Sequence, residues 1–165
     1  MATYKVIGKG QDGKYTDDTA RENVISYCMN PYKTKHGYMG SRAVSLKHAA
    51  EEMQWLANVY HNDTRVRLRH CVISLGSKEH VSLDSAREIA EYAIDYFGDE
   101  YQIIYCIHED TDQLHIHTVM NQVSYRDGHK YRGTRKQHED YVRYLKNGLS
   151  YFNMNLIYVS SDASC

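Results

Sequence analysis

No stretch of this chain stays apolar for the ~20 residues that a membrane-spanning helix needs, so nothing in it is expected to cross a bilayer. The opening MATYKVIGKG lacks the apolar core of a secretory signal, which places the protein in the cytoplasm by expectation. Cysteines at 28, 71, 106 and 165 have no CxxC spacing, excluding a zinc knuckle and a disulfide framework. Three of them sit among apolar neighbours and read as reduced, buried thiols. No carboxylate cluster of the kind a two-metal hydrolase needs is visible. Repeats, low-complexity tracts and internal linkers are missing as well.

Strong positive charge is also lacking. A net charge of −1 counts against a protein that coats DNA by bulk electrostatics. The cations gather locally instead, with Arg65, Arg67 and Arg69 alternating in one run and Lys130, Arg132, Arg135 and Lys136 clustering in another. Phenylalanine is scarce, 2 residues against 16 tyrosines. Tyrosine can stack on bases and reach phosphates, or it can replace Phe in a half-wet core; the composition leaves both readings open. With 42% hydrophobic and 25% charged residues, the 165-residue chain suits one globular domain with a proper core.

What is present centres on Ile107–Val123, IHEDTDQLHIHTVMNQV. The flanking runs YQIIYCI and LHIHTVM are rich in β-branched and aromatic residues and suit strands, whereas EDTDQ suits a turn. Alternation puts His115 and His117 on one face. In an antiparallel hairpin, setting His108 opposite either of them adds the third imidazole to that face. Neutral imidazole is a common ligand for a divalent ion, so this arrangement reads as a metal site.

Elsewhere strands and helices alternate. Thr3–Gly8 reads as a strand, followed by a Gly- and Asp-rich turn through Asp18. Ala20–Asn30 reads as a helix stopped before Pro31, and the following PYKTKHGYMGSRAV as a loop. Ser45 caps an amphipathic helix over Leu46–His61. Val66–Leu75 reads as a strand, and Ser82 opens a helix that closes at Gly98. After the histidine hairpin come a turn at Arg126–His129, a short pairing strand HKY, a helix over Glu139–Phe152 and a strand at Leu156–Val159. The order implies an α+β domain over 1–160, with 161–165 starting a linker or tail. About five strands form a central, mainly antiparallel sheet; helices cover one face and leave the other for ligand.

The pattern His108, Asp110, His115, His117 and Asn121 resembles the three-histidine signature of the relaxases, or mobilization nucleases, of the HUH endonuclease superfamily. RHCVISL, REIAEYAIDYFG, YQIIYCIHED and NQVSYRDGHKY extend the likeness over nearly the whole chain, to relaxases of the Firmicutes mobilization type. The resemblance implies a five-stranded antiparallel sheet carrying one divalent metal ion on its open face. His108, His115 and His117 would be ligands, and Asp110 would support a histidine. The ion would be Mn2+ or Mg2+, with Zn2+, Ni2+ and Co2+ as alternatives.

The resemblance further implies nicking and rejoining at a transfer origin, through attack by a tyrosine that precedes the histidines. Tyr27 matches that position best, with Tyr32 and Tyr38 as competitors. Single-stranded or melted origin DNA is the implied substrate; accessory relaxosome proteins and a coupling protein are implied partners. Arg69, His70, Asn121, Lys130, Arg132 and Arg135 are candidate DNA contacts. In a replication-initiator type nuclease the tyrosine follows the histidines, and Tyr141 or Tyr144 would carry the chemistry. A non-catalytic metal- or nucleic-acid-binding module is the third reading. Relatives usually continue further, so the chain is compatible with an excised N-terminal domain.

Overall fold

Some strands form where buried and half-buried residues alternate, as in ATYKVI, others where every residue is buried, as in YQIIYCIH, and helices form where the apolar period lengthens. The computed structural model describes residues 1–8, 14–78 and 80–160. The elements are β1 (Ala2–Ile7), α1 (Ala20–Cys28), β2 (Met39–Arg42), α2 (Ala49–Val59), β3 (Leu68–Ser77), α3 (Leu83–Gly98), β4 (Tyr101–His108), β5 (Gln113–Ser124), α4 (Arg135–Ser150) and β6 (Leu156–Val159). They build an α+β domain around one six-stranded sheet in the order β2-β4-β5-β3-β1-β6. Every neighbouring pair is antiparallel except β1 with β6.

The two sheet faces are covered unequally. Inward residues of one face, among them Ile73, Leu75, Ile103, Ile107, Ile116 and Met120, pack under α3 and α4 in the larger core. On the other face Leu68, Ile104, Cys106 and Val119 pack under α1 and α2 in a smaller core. The histidines share that second face, so helices cover part of the site face as well as the face opposite.

The sheet has six strands where five were expected. The additional one is β2, MGSR, which lies in the stretch read as loop and has no apolar alternation to announce it. It forms because Gly40 can lie flat against Tyr105: a Cβ there would land in the Tyr105 ring and 2.8 Å from Glu91 Oε1. α2 begins at Ala49 rather than Leu46. α4 starts four residues before the expected Glu139, because Thr134 and Gln137 form a reciprocal capping box. The HKY strand reduces to a single bridge, Val123 with Lys130. Part of the expected Gly- and Asp-rich turn, and the tail at 161–165, lie outside the described residues.

Tyrosine serves the core first. Tyr92 and Tyr144 stack at 4.2 Å between α3 and α4, and each hydroxyl donates to the other's backbone carbonyl. This is the half-wet core reading: the ring is buried while the hydroxyl completes a backbone hydrogen bond. Cys28, Cys71 and Cys106 are buried and free, as their apolar settings suggested.

Candidate active site

β4 and β5 form the expected hairpin, with His108 directly opposite His115 and Cys106 opposite His117. All three imidazoles therefore share one face. β3 lies on the other side of β5, with Val72 opposite His117 and His70 opposite Val119, which adds His70 to the same face. The rings of His108 and His117 lie 4.0 Å apart, and those of His70 and His117 lie 5.2 Å apart. His115, nearer the hairpin turn, is only partly buried.

Burial keeps this cluster neutral. Desolvation depresses His117 to about 2, helped by His108, His70 and His115 around it. Desolvation likewise takes His70 to about 4 and lowers His108 and His115. Neutral imidazoles keep a lone pair at ordinary pH and suit a divalent ion of intermediate softness. Among the described residues, the donor atoms that converge within 4.8 Å of one another are those of Cys28, His70 and His117, a buried group that could hold a metal ion.

The tautomers are held by partners that the sequence did not suggest. His108 Nε2 lies 2.8 Å from the carbonyl oxygen of Cys28. A carbonyl only accepts, so Nε2 carries the hydrogen and Nδ1 keeps the lone pair. Asp110, expected to support a histidine, instead pairs with Lys33 at 2.7 Å. That hydrogen bond holds its carboxyl below the usual range and the Lys33 ammonium above its own. The acidic hairpin turn is clasped further by Lys35, 2.8 Å from Glu109, and by Lys78, which donates to the Glu109 carbonyl.

Tyr27 comes to the cluster from α1. Its ring meets His108 edge-on at 5.5 Å and His117 at 5.8 Å, and it remains 46% exposed. The Lys33 ammonium lies 5.2 Å from the centre of the same ring. The competing tyrosines lie elsewhere. Tyr32 is 93% exposed beside the cleft between α1 and α2. Tyr38 packs against the core beneath α3 and α4. Tyr141 is buried in that core with its hydroxyl donating to Ala93, and Tyr144 is stacked there on Tyr92. Neither follower of the histidines reaches their face.

The candidate DNA contacts separate. Asn121 is fully buried: its amide donates to Met53 and Gln102, and its oxygen accepts from Arg21. It cannot touch DNA, because a strand-centre position under α2 leaves it no surface. Arg69 points to the opposite face, between the Tyr4 hydroxyl and the Tyr131 ring. Its odd position on β3 sends it away from His70. Lys130 donates to the carbonyls of Thr64 and Val66. Arg132 is exposed, and Arg135 pairs with Glu139 on the first turn of α4. His70 lies in the histidine cluster itself.

Sequence reasoning missed Arg21, Cys28 and Lys33. Arg21 is 2% exposed and donates to Gln54, Asp63, the Arg67 carbonyl and Asn121. An arginine at a helix start carries no mark of such burial. Lys33 had only its place two residues after Pro31 to recommend it.

A search against protein-family models matches residues 27–147 to "Relaxase: MobA/VirD2-like, nuclease domain". No curated protein matches the chain. Among the described residues no helix is long and apolar enough to cross a membrane.

Proposed function

This chain belongs to the relaxase family, with a MobA/VirD2-like nuclease domain, and from that premise we propose that it nicks and rejoins one DNA strand at the transfer origin of a conjugative or mobilizable element. The observation that carries the reading is Tyr27, an exposed phenol set against two histidines of a neutral imidazole cluster. His108, His115 and His117 would hold one divalent ion, Mn2+ or Mg2+, with Zn2+, Ni2+ and Co2+ as alternatives. When bound, that ion would withdraw charge from the non-bridging phosphate oxygens.

The remaining work falls to side chains. Tyr27 Oη attacks the scissile phosphorus, and the bond from phosphorus to the 3′ oxygen breaks. The phenolic proton leaves Tyr27 and the departing 3′ oxygen takes one up, giving a 5′-phosphotyrosine and a free 3′-hydroxyl. The ester keeps the energy of the broken bond, so rejoining is the same step reversed. Lys33, beside the Tyr27 ring and paired with Asp110, is proposed as the cation that meets the attacked phosphate, exchanging its carboxylate partner for a phosphate oxygen. The DNA there must be single-stranded or melted for one phosphate to reach Tyr27. Exposed Arg132 and Arg135 are proposed as contacts to more distant phosphates. Accessory relaxosome proteins and a coupling protein are proposed partners, residues 1–160 the nuclease domain, and the cytoplasm the location.

The test is incubation with a labelled single-stranded origin oligonucleotide and Mn2+ or Mg2+, followed by a denaturing gel. A covalent adduct should form, and Tyr27→Phe should reduce it by at least ~100-fold while metal binding survives. Mass spectrometry should place the nucleotide on the peptide spanning Arg21–Lys33. Label on Tyr38 would move the nucleophile, and label on Tyr141 or Tyr144 would favour the initiator mechanism. Metal uptake with no strand cleavage would reduce the protein to a binding module.

A further inference from the structure

A hydrogen-bonded chain runs behind the site. His117 Nδ1 lies 2.9 Å from His70 Nε2, and His70 Nδ1 lies 3.0 Å from the Tyr15 hydroxyl. Two neutral nitrogens at that separation share one hydrogen, which leaves two assignments. If His70 Nε2 donates, His117 accepts at Nδ1 and carries its own hydrogen on Nε2, so it has no lone pair for an ion. If His117 Nδ1 donates, its Nε2 is free to ligate, and His70 Nδ1–H donates onward to the Tyr15 oxygen. Tyrosine can either donate or accept, so Tyr15 accommodates both.

We propose that His70, held by Tyr15, is the positioning residue for His117: it accepts the Nδ1 hydrogen and leaves the Nε2 lone pair for the divalent ion. The role rests on the metal reading given above and deepens it. It is the task that a carboxylate or a backbone carbonyl performs for many ligating histidines. Here Asp110 is engaged by Lys33, the Cys28 carbonyl serves His108, and His70 serves His117.

Two further observations support it. Tyr15 adopts a left-handed backbone conformation with φ of 62°, which a bulky residue adopts only when its surroundings impose it. Its carbonyl is fixed by the Arg67 amide at 2.9 Å, and its hydroxyl by His70. Second, Cys28, His70 and His117 offer three atoms close enough to suggest an alternative, inner ion site. Imidazole nitrogens sharing a tetrahedral ion at ~2.1 Å would stand ~3.4 Å apart. The 2.9 Å between His70 and His117 is a hydrogen-bond length, so the inner triangle would have to open by about 0.5 Å before both nitrogens could share an ion.

The test uses the whole chain without DNA, so that it reads the metal and not nicking. Titration calorimetry with Zn2+ and Mn2+ should show His70→Leu binding ~10- to 100-fold more weakly than wild type. His70→Gln, whose side-chain oxygen can accept from His117, should stay within about threefold. Long-range 1H–15N spectra of the Zn2+-loaded wild type, which need no variant, should show His117 protonated at Nδ1. Equal affinity of His70→Leu and wild type, equal losses in both variants, or His117 protonated at Nε2 would each overturn the proposal. So would a sulfur-to-metal charge-transfer band in the Co2+-loaded protein that disappears in Cys28→Ala, because the ion would then sit in the inner triangle. A wild type that takes up no divalent ion would overturn the metal reading itself.

Discussion

Acidification should destabilise this protein well above the pH at which carboxylates titrate. An ordinary histidine takes up a proton near 6.5, but buried His70 resists protonation until about 4. Between those values the unfolded chain binds a proton that the folded chain refuses. Stability is therefore complete above 6.5 and is lost as the pH falls towards 4. Each unit is worth about 1.4 kcal/mol, so His70 alone accounts for a loss of about 2 kcal/mol between pH 6.5 and pH 5. His117, depressed to about 2, shares a hydrogen bond with His70, so its effect does not simply add. The expected fall from pH 7 to pH 5 is about 2–4 kcal/mol, measured by urea unfolding in EDTA so that no ion holds the imidazoles. Asp63 and Glu91, lowered in the fold by their hydrogen bonds, lose their contributions only at lower pH and do not obscure this window. His70→Gln should remove about 2 kcal/mol of the fall. Stability independent of pH over that range, or a fall of equal size in His70→Gln, would refute the reasoning.

Three other changes probe separate parts of the argument. Asn121→Ala should cost about 2–4 kcal/mol in urea unfolding, since it strips partners from Arg21, Met53 and Gln102 at a fully buried site. The salt slope of DNA binding should stay unchanged; a shallower slope would restore a direct phosphate contact. Gly40→Ala should lower the melting temperature by several degrees, because Tyr105 is buried and its hydroxyl holds Glu91 at 2.6 Å. A neutral result would show that the ring can move. Lys33→Ala should slow adduct formation by about tenfold with metal affinity unchanged, checked by gel kinetics and calorimetry; an equal loss in both would make Lys33 a support for the hairpin only.

The parts of the site that lie on strands could be read from spacing. Period-2 alternation puts His115 and His117 on one face, and the hairpin register adds His108 whichever pairing is chosen. The pairing adopted, His108 with His115, is one of the two. Strand alternation could equally have placed His70 on one face of β3 and Arg69 on the other, but only once the β3–β5 register was known. Legibility failed where a residue's role depends on an element distant in sequence. Asn121 looks like a polar strand residue until Arg21, 100 positions away, is brought against it. The sixth strand was hidden because MGSR pairs through its backbone and its glycine, not through an apolar pattern. The α4 start was legible in principle, since Thr134 and Gln137 stand at capping-box spacing.

Why Tyr27 meets the histidines at all is a question about α1. A nine-residue helix has little stability of its own, and its position must come from tertiary ties. Val24, Ile25 and Cys28 bury its inner stripe on Ile104, Cys106 and Val119. Apolar packing of that kind tolerates sliding and rotation; directional bonds do not. At the start of the helix Arg21 is held by Asp63 from the segment after α2 and by Asn121 from β5. At its end the Cys28 carbonyl accepts from His108 on β4. β5 thus anchors one end of α1 through Asn121 and carries His117 four residues earlier on the same face. Tyr27, adjacent to Cys28, has its distance to His108 set by the same bond that fixes the His108 tautomer. Tyr27 and His108, the proposed nucleophile and the proposed metal ligand, are therefore coupled through a backbone carbonyl: a shift of α1 that misplaces the phenol also releases the imidazole hydrogen.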